Sequence, residues 1–184
     1  MIEEAIEIGK LLFRSELIDG ASGNLSFREN GKIMITKTGS NLESLEESDF
    51  VPIESPNASR DRGVHLKIYE LSDFNAVIHC HGVFNVVLSL KRDEIVPLDL
   101  EGKLYFGKIE VVKEEFGKEE YAKEIAEKIR KNGVVIARGH GIYSAGKSLR
   151  EAFNRACYVE HSCEVLYYSE ILDKLEHRKS RKEL

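Results

Sequence analysis

The stretch NAVIHCHGVFNVVLSL, residues 75–90, decides how the rest of the chain is interpreted. Its short apolar run, residues 76–78, is typical of a buried strand and ends at two histidines, His79 and His81. Because side chains at i and i+2 leave the same face of a strand, both imidazoles should point into one space while Cys80 points away from it. Two imidazoles on one face indicate a divalent metal site, and zinc needs at least one more protein ligand.

The third candidate ligand is His140, in the segment RGHG at residues 138–141. VVIA predicts a buried strand that RGHG breaks and IYSA resumes, and a turn between two strand pieces can aim a side chain into a cleft. The alternative for each histidine alone is an ordinary hydrogen-bonded or exposed imidazole. His65, on a predicted helix, and His161, outside the apolar stripe of the last helix, are predicted to be packing or surface residues.

Composition limits the classes of function. The 184 residues predict one domain, 1–184, in which residues 177–184 form a charged tail. A net charge of -5 gives no basic field for nucleic acid, and no apolar run approaches a membrane span. The acidic residues in MIEEAIEIGKLLF, residues 1–13, argue against a secretory signal, so we expect a cytoplasmic protein. Three cysteines without disulfide or CxxC spacing are expected to be reduced and buried: Cys80, Cys157 and Cys163.

Helical and strand patterns follow one another along the chain. An amphipathic helix is predicted near residues 2–13, and ENGK at residues 29–32 predicts a hairpin turn between two strands. The next strand ends in a polar loop where the Thr38 hydroxyl and the Gly39 N–H are placed to meet an anion; the alternative for Gly39 is a turn that needs a positive φ. Residues 95–112 suggest only short strands or loops. Ser148 and Glu151 predict a capping box that opens a long final helix.

Five segments of the chain together resemble the class II aldolase and adducin-like family. They are SGNLSFR (22–28), ITKTGSNLESL (35–45), SRDRGVHLKIYE (59–70), NAVIHCH (75–81) and ARGHGIYSAGKSLREAF (137–153). The resemblance implies a three-layer α/β/α sandwich on a mainly antiparallel sheet, assembled as a homotetramer with active sites at subunit interfaces. It also implies a zinc-dependent aldolase acting on L-fuculose 1-phosphate, or a related deoxyketose 1-phosphate, to give dihydroxyacetone phosphate and L-lactaldehyde. Manganese and cobalt are alternative metals.

The resemblance also implies roles for individual residues. His79, His81 and His140 correspond to the family's zinc ligands, and the residues that correspond to its phosphate site are Asn24, Thr38, Gly39 and Ser59. Where the family usually has Ser-Ser-Glu, this chain has Ser59, Arg60 and Asp61. The Arg60 guanidinium can add two hydrogen bonds to a phosphate.

Asp61 stands in the place of the catalytic acid of the family. Its side chain is one methylene shorter, so it would have to lie closer to the metal or act through water. It could shuttle a proton if burial raised its pKa toward neutrality. The alternative is a helix N-terminal acid that interacts with the helix dipole. The tyrosine that aldolases of the family contribute across the subunit interface has no clear counterpart near Leu98 and Asp99.

Other functions compete with the aldolase interpretation. A 4-epimerase or a ketose 1-phosphate dehydratase would use the same metal site. A non-catalytic oligomerisation module of the family would lack the three histidines, which this chain retains. GIYSAGKS, residues 141–148, satisfies the P-loop pattern of nucleotide-binding proteins, but its interior residues favour an extended strand over a phosphate-binding loop.

Overall fold

An eight-stranded sheet forms the centre of the molecule. The structure is a computed structural model that describes the backbone of residues 1–180 and the side chains of residues 1–118 and 120–177. The helices are α1 Ile2–Arg14, α2 Arg62–Leu71, α3 Val83–Ser89, α4 Leu100–Tyr105, α5 Glu119–Ile129 and α6 Leu149–Ser180. The strands are β1 Asn24–Glu29, β2 Lys32–Thr36, β3 Phe50–Pro52, β4 Ala76–Cys80, β5 Glu94–Ile95, β6 Ile109–Val112, β7 Val134–Ala137 and β8 Gly141–Gly146.

The strand order across the sheet is β3-β2-β1-β4-β8-β7-β6-β5, and every neighbouring pair is antiparallel except β6 and β7. The predicted hairpin joins β1 to β2 through Asn30 and Gly31, which have φ angles of 51° and 76°. Positive φ at both central residues is what a two-residue turn between twisted strands requires. The local sequence therefore fixes the position of this hairpin.

Alternate residues of the strands face opposite helical layers. One face packs beneath α1, α3 and α6, and Leu25, Ile78 and Ile142 lie in its core. The other face packs beneath α2 and α5 and carries the side chains of Val77 and Tyr143. This is a three-layer α/β/α arrangement on a mainly antiparallel sheet, as the family resemblance implied. No helix in residues 1–180 is both long enough and apolar enough to cross a membrane.

Two local predictions were wrong in detail. VVIA and IYSA are not one interrupted strand but two antiparallel neighbours, β7 and β8, because residues 138–140 reverse the chain. The segment KLYFG, predicted as strand or loop, begins inside α4, whose N-terminus is capped by the Asp99 carboxylate accepting from the Gly102 N–H at 2.8 Å. A short cap-driven helix gives too few residues for a periodic pattern to emerge.

The last helix begins at the predicted capping box. The Glu151 N–H donates to the Ser148 hydroxyl at 3.1 Å, and the Glu151 carboxylate accepts from the Lys147 N–H at 2.6 Å. GIYSAG in front of it is the buried strand β8, paired with β4 and β7, so this segment forms no phosphate-binding loop. The predicted charged tail begins within α6, and residues 181–184 lie outside the described part of the chain.

Candidate metal centre

One row of residues across three adjacent strands forms the floor of the site. Asn24 on β1 is paired in register with His79 on β4, and His79 is paired with Tyr143 on β8. Residues directly opposite in neighbouring strands share a face, so their three side chains project together. The rings of His79 and Tyr143 are stacked, with centroids 4.0 Å apart and an angle of 13° between the planes.

His81 and His140 complete a cluster of three imidazoles around His79. The Nε2 atom of His79 lies 2.8 Å from that of His81 and 3.3 Å from that of His140. His81 follows the last residue of β4, and His140 lies in the turn that joins β7 to β8. Cys80 points to the opposite face and is buried in the core there, as the strand alternation predicted. Histidines 61 residues apart in sequence are thus neighbours.

The tautomer of His79 and the charge state of the three rings suit metal ligation. The Nδ1–H of His79 donates to the Ile142 carbonyl oxygen at 2.9 Å, which leaves its Nε2 lone pair directed at the cluster. Burial lowers the pKa of His79 to about 3, and burial also lowers the pKa values of His81 and His140 below the usual value. All three rings are therefore neutral near pH 7, the form that binds metal ions.

The cluster also has the size that a metal ion needs. The ligand nitrogens of the three histidines lie within 4.8 Å of one another. A tetrahedral ion with bonds of about 2.1 Å requires ligand nitrogens about 3.4 Å apart, close to the 3.3 Å between His79 and His140. A cation bound by the three neutral imidazoles would lie between these nitrogens. The residues present therefore fit a divalent cation.

Asp61 lies beside the three histidines, with its carboxylate held from two sides. Its Oδ2 accepts from the Asn24 side-chain amide at 3.0 Å and lies 3.7 Å from His79 Nε2. Its Oδ1 accepts from the Tyr143 hydroxyl, also at 3.0 Å. Asp61 precedes α2, yet its side chain makes no capping hydrogen bond to that helix. The carboxylate points into the site and does not serve as a helix cap.

The pKa of Asp61 is set by opposing influences of burial and of its neighbours. Burial by itself would raise it, but the His79 and His65 rings and the hydrogen bonds from Asn24 and Tyr143 outweigh burial and hold the pKa below its usual value. Burial therefore does not raise this pKa toward neutrality, because the neighbouring groups stabilise the charged form. Asp61 is therefore ionised near pH 7, so its carboxylate is suited to accept a proton at the start of a reaction.

The residues expected to bind phosphate line the same cavity of about 310 Å³ as the histidines and Asp61. They are Asn24, Thr38, Gly39, Ser59 and Arg60. The Thr38 hydroxyl donates to the Ala58 carbonyl at 3.0 Å, and Gly39 has a φ of 81°, so this loop is a turn that needs a positive φ. Within residues 1–180, the backbone N–H groups of Gly39 and Arg60 have no hydrogen-bond partner. Both are available to an anion in the cavity.

Several residues of the site were not foreseen from the sequence. Lys37 and Phe116 also line the cavity, and the Phe116 ring packs edge-on against His140. Tyr121 and Tyr143 join the site by hydrogen bonds to its members. The signal for Tyr143 in the sequence was a phenol in a mostly apolar strand, since a buried tyrosine hydroxyl usually has a hydrogen-bond partner. His65, predicted to be a packing or surface residue, is fully buried and hydrogen-bonded to the Ser26 hydroxyl at 2.7 Å.

A mixed α/β fold in which three clustered histidines lie beside a buried acid is typical of a metal-dependent enzyme. Residues 3–167 match the family described as Class II Aldolase and Adducin N-terminal domain. The chain belongs to this family, and the enzyme class predicted from the sequence, a class II metal-dependent lyase, is confirmed with it.

Similar proteins include enzymes of sugar-phosphate metabolism. The L-fuculose phosphate aldolase of Methanocaldococcus jannaschii is 31% identical over 180 residues, covering 94% of this chain and 98% of the relative. The structure of L-fuculose-1-phosphate aldolase from Thermus thermophilus gives a TM-score of 0.88 at 30% identity, covering 94% and 95% of the two chains. The methylthioribulose-1-phosphate dehydratase of Pseudoalteromonas translucida is 26% identical over 197 residues, covering 89% and 90%.

Proposed function

We propose that this protein is a zinc-dependent aldolase that reversibly cleaves L-fuculose 1-phosphate, or a related deoxyketose 1-phosphate, to dihydroxyacetone phosphate and L-lactaldehyde. The convergence of three neutral imidazoles beside an ionised Asp61, in one cavity with free backbone N–H groups, carries the proposal. The similarity to L-fuculose phosphate aldolases at 30% and 31% identity supports the choice of substrate.

His79, His81 and His140 would hold the zinc ion. When bound, such an ion acts as a Lewis acid that stabilises negative charge developing on the oxygens of the ketose. Asn24, Ser59 and the free N–H groups of Gly39 and Arg60 bind the phosphate. The Arg60 side chain adds charge-assisted hydrogen bonds to the same group. Binding energy at the phosphate thereby orients carbons 3 and 4 next to the reacting groups.

Asp61 is the proton-transfer group in this proposal. Its carboxylate accepts the proton of the C4 hydroxyl, the C4–O bond becomes the aldehyde carbonyl, and the C3–C4 bond breaks. The electron pair of that bond remains on the dihydroxyacetone phosphate fragment. Asp61 then returns the proton to C3, so the enzyme ends in its starting form. A carboxylate that is ionised in the resting site is suited to the first of these steps.

The test of the metal and acid roles is an assay of dihydroxyacetone phosphate release, with zinc content measured on the same samples. We expect activity to disappear on chelation and return with zinc. His79→Ala should lose both zinc and activity, whereas Asp61→Asn should keep zinc and lose at least about a hundredfold in kcat. His161→Ala, a change at an exposed histidine on α6, is the matched control and should match wild type. Full turnover in the chelated protein would refute the metal role.

The phosphate site has its own test. Arg60→Ala removes a guanidinium from the cavity wall and should raise KM for the sugar phosphate about tenfold with a smaller effect on kcat. Arg14→Ala, at the end of α1 and away from the cavity, is the charge-matched control. An unchanged KM in Arg60→Ala would remove this residue from the phosphate site.

A dehydratase is the second candidate, because the chain is also similar to methylthioribulose-1-phosphate dehydratase. The same histidines and Asp61 would then remove water from the sugar instead of breaking a carbon–carbon bond. Product analysis separates the two: the aldolase gives two three-carbon fragments from L-fuculose 1-phosphate, whereas the dehydratase keeps the carbon chain intact.

We further propose that the chain is a single domain that assembles as a homotetramer in the cytoplasm. Large exposed apolar side chains concentrate on α3 and the residue after it, on α4 and on the second half of α6, and α3 and α4 each contact α6. The residues are Val83, Val87, Leu90, Leu100, Leu104, Tyr105, Tyr168, Leu172 and Leu175. Such a surface is typical of an interface between subunits. The mass measured by light scattering after size exclusion tests it: a monomer would contradict the assembly.

A further inference from the structure

A directed chain of four hydrogen-bonding groups runs behind the histidine cluster. The Tyr143 hydroxyl lies 3.0 Å from Asp61 Oδ1, and the Tyr121 hydroxyl lies 3.2 Å from that of Tyr143. The Tyr121 hydroxyl also lies 3.2 Å from His140 Nδ1. Both tyrosines are buried, which keeps water from competing for these contacts.

The direction of every bond in this chain follows from the number of protons available. The Tyr143 hydroxyl donates its single proton to Asp61 Oδ1. Tyr121 then gives its proton to Tyr143, and no proton is left for Tyr121 to donate to His140. His140 must therefore donate from Nδ1, which leaves its Nε2 unprotonated and directed at the other two histidines.

We infer that Tyr143 and Tyr121 are positioning residues, which hold the Asp61 carboxylate and fix the tautomer of His140 through one hydrogen-bond chain. The inference rests on the proposed function for the role of Asp61 in catalysis. The hydrogen-bond geometry from which it is argued does not depend on that function. Tyr143 and Asn24 clamp the carboxylate from opposite sides, one bond to each oxygen. The clamp restricts the shorter side chain to one place, 3.7 Å from His79 Nε2.

The clamp also explains how an aspartate can serve in this position. The sheet places Asn24, His79 and Tyr143 in one row, so the two clamping groups flank the metal ligand. The Tyr143 hydroxyl lies 3.0 Å from Asp61 Oδ1, so a longer acid at position 61 would approach this hydroxyl. An Asp61→Glu change in the wild type should therefore force the extra methylene against this hydroxyl, whereas removal of the hydroxyl should make room for it.

The kinetic test compares four proteins with a matched control. Tyr143→Phe should lower kcat about tenfold or more while KM for the sugar phosphate stays within about twofold, because the phosphate contacts are unchanged. Asp61→Glu should also lower kcat. The double variant with Asp61→Glu and Tyr143→Phe, however, should have a kcat several-fold higher than that of Tyr143→Phe alone. Tyr69→Phe, which removes another buried hydroxyl bonded to Ser26, should match wild type in kcat. Equal losses in Tyr143→Phe and Tyr69→Phe, or no recovery in the double variant, would overturn the inference.

A second test needs no catalysis. In the metal-free protein with ¹⁵N-labelled histidine, NMR should show His140 protonated at Nδ1 in the wild type, and a mixture of tautomers in Tyr121→Phe. His79, held by the Ile142 carbonyl, provides the internal control and should not change. An unchanged His140 tautomer in Tyr121→Phe would overturn the chain. If the tautomer shifts but the wild type cleaves no sugar phosphate, the positioning inference stands and the proposed function fails.

Discussion

His65 should make this protein sensitive to acid, and the size of the effect follows from its surroundings. The imidazole is fully buried, with Nδ1 against the Ser26 hydroxyl at 2.7 Å. Within residues 1–180, its Nε2 has no hydrogen-bond partner. Protonation would therefore place a charge and an unpaired N–H in the interior. Burial accordingly lowers the pKa of His65 to about 4, against an ordinary value of 6.5.

The sign of the effect follows from proton binding. Between pH 6.5 and 4 the unfolded chain binds a proton at this position and the folded chain does not, so stability is lost as the pH falls. For pKa values of about 4 folded and 6.5 unfolded, a drop from pH 7.5 to 4.5 removes about 2.5 kcal/mol of unfolding free energy. His65→Asn retains a polar atom for Ser26 but does not titrate. Its stability should fall by about 2.5 kcal/mol less over this range.

The assay is urea unfolding of the metal-free proteins at several pH values between 7.5 and 4.5. Any stability that is lost because asparagine is smaller than histidine is independent of pH. It therefore shifts the whole plot of unfolding free energy against pH for His65→Asn and leaves the slope of that plot unaffected. His161→Asn, a change at an exposed position, should follow the wild-type curve. Equal pH slopes for wild type and His65→Asn would refute the reasoning that burial keeps this imidazole neutral.

Three further predictions concern residues outside the reaction. Glu160→Gln should cost about 2 kcal/mol in urea unfolding, because the Glu160 carboxylate accepts from the Phe84 and Asn85 N–H groups at 2.7 and 3.0 Å and holds the start of α3. Gly141→Ala should cost about 1–3 kcal/mol and weaken zinc retention in chelator competition, since its Cβ would lie 2.3 Å from a carbonyl oxygen of β4. Lysine hydrogen bonds lower the pKa of Glu110 to about 2, so Glu110→Gln should cost about 1 kcal/mol in thermal unfolding at pH 7, a difference that shrinks as the pH falls from about 4.5 toward 2.

The sequence predicted those parts of the fold and site that depend on local patterns. Strand alternation placed His79 opposite Cys80, the ENGK turn placed the first hairpin, and the Ser148 capping box placed the start of α6. Each of these follows from a few neighbouring residues, whose spacing the chain itself records. The position of His140 beside His79 was a prediction from its turn and from the family resemblance, and the structure brings the two rings together.

The contacts that complete the site could not be predicted in this way. Asp61 and Tyr143 are 82 residues apart, and they meet only because β8 pairs with β4 in one particular register. Glu160 reaches the start of α3 across 76 residues for a similar reason, the packing of α6 against that helix. Register and helix packing are set by the whole core, so no single segment carries the signal.

The register between β4 and β8 links the stability of the fold to its chemistry. His79 and Tyr143 are opposite one another in this pair, and the same pairing aligns Cys80 with Ile142 in the core of the other face. A slip of one residue would turn His79 and Tyr143 to the wrong face and carry Cys80 and Ile142 out of the core. The apolar burial that fixes the register therefore also fixes His79, the proposed metal ligand, and one side of the Asp61 clamp. A substitution in this core that loosens the pairing should impair zinc retention and catalysis together, even though it touches neither group.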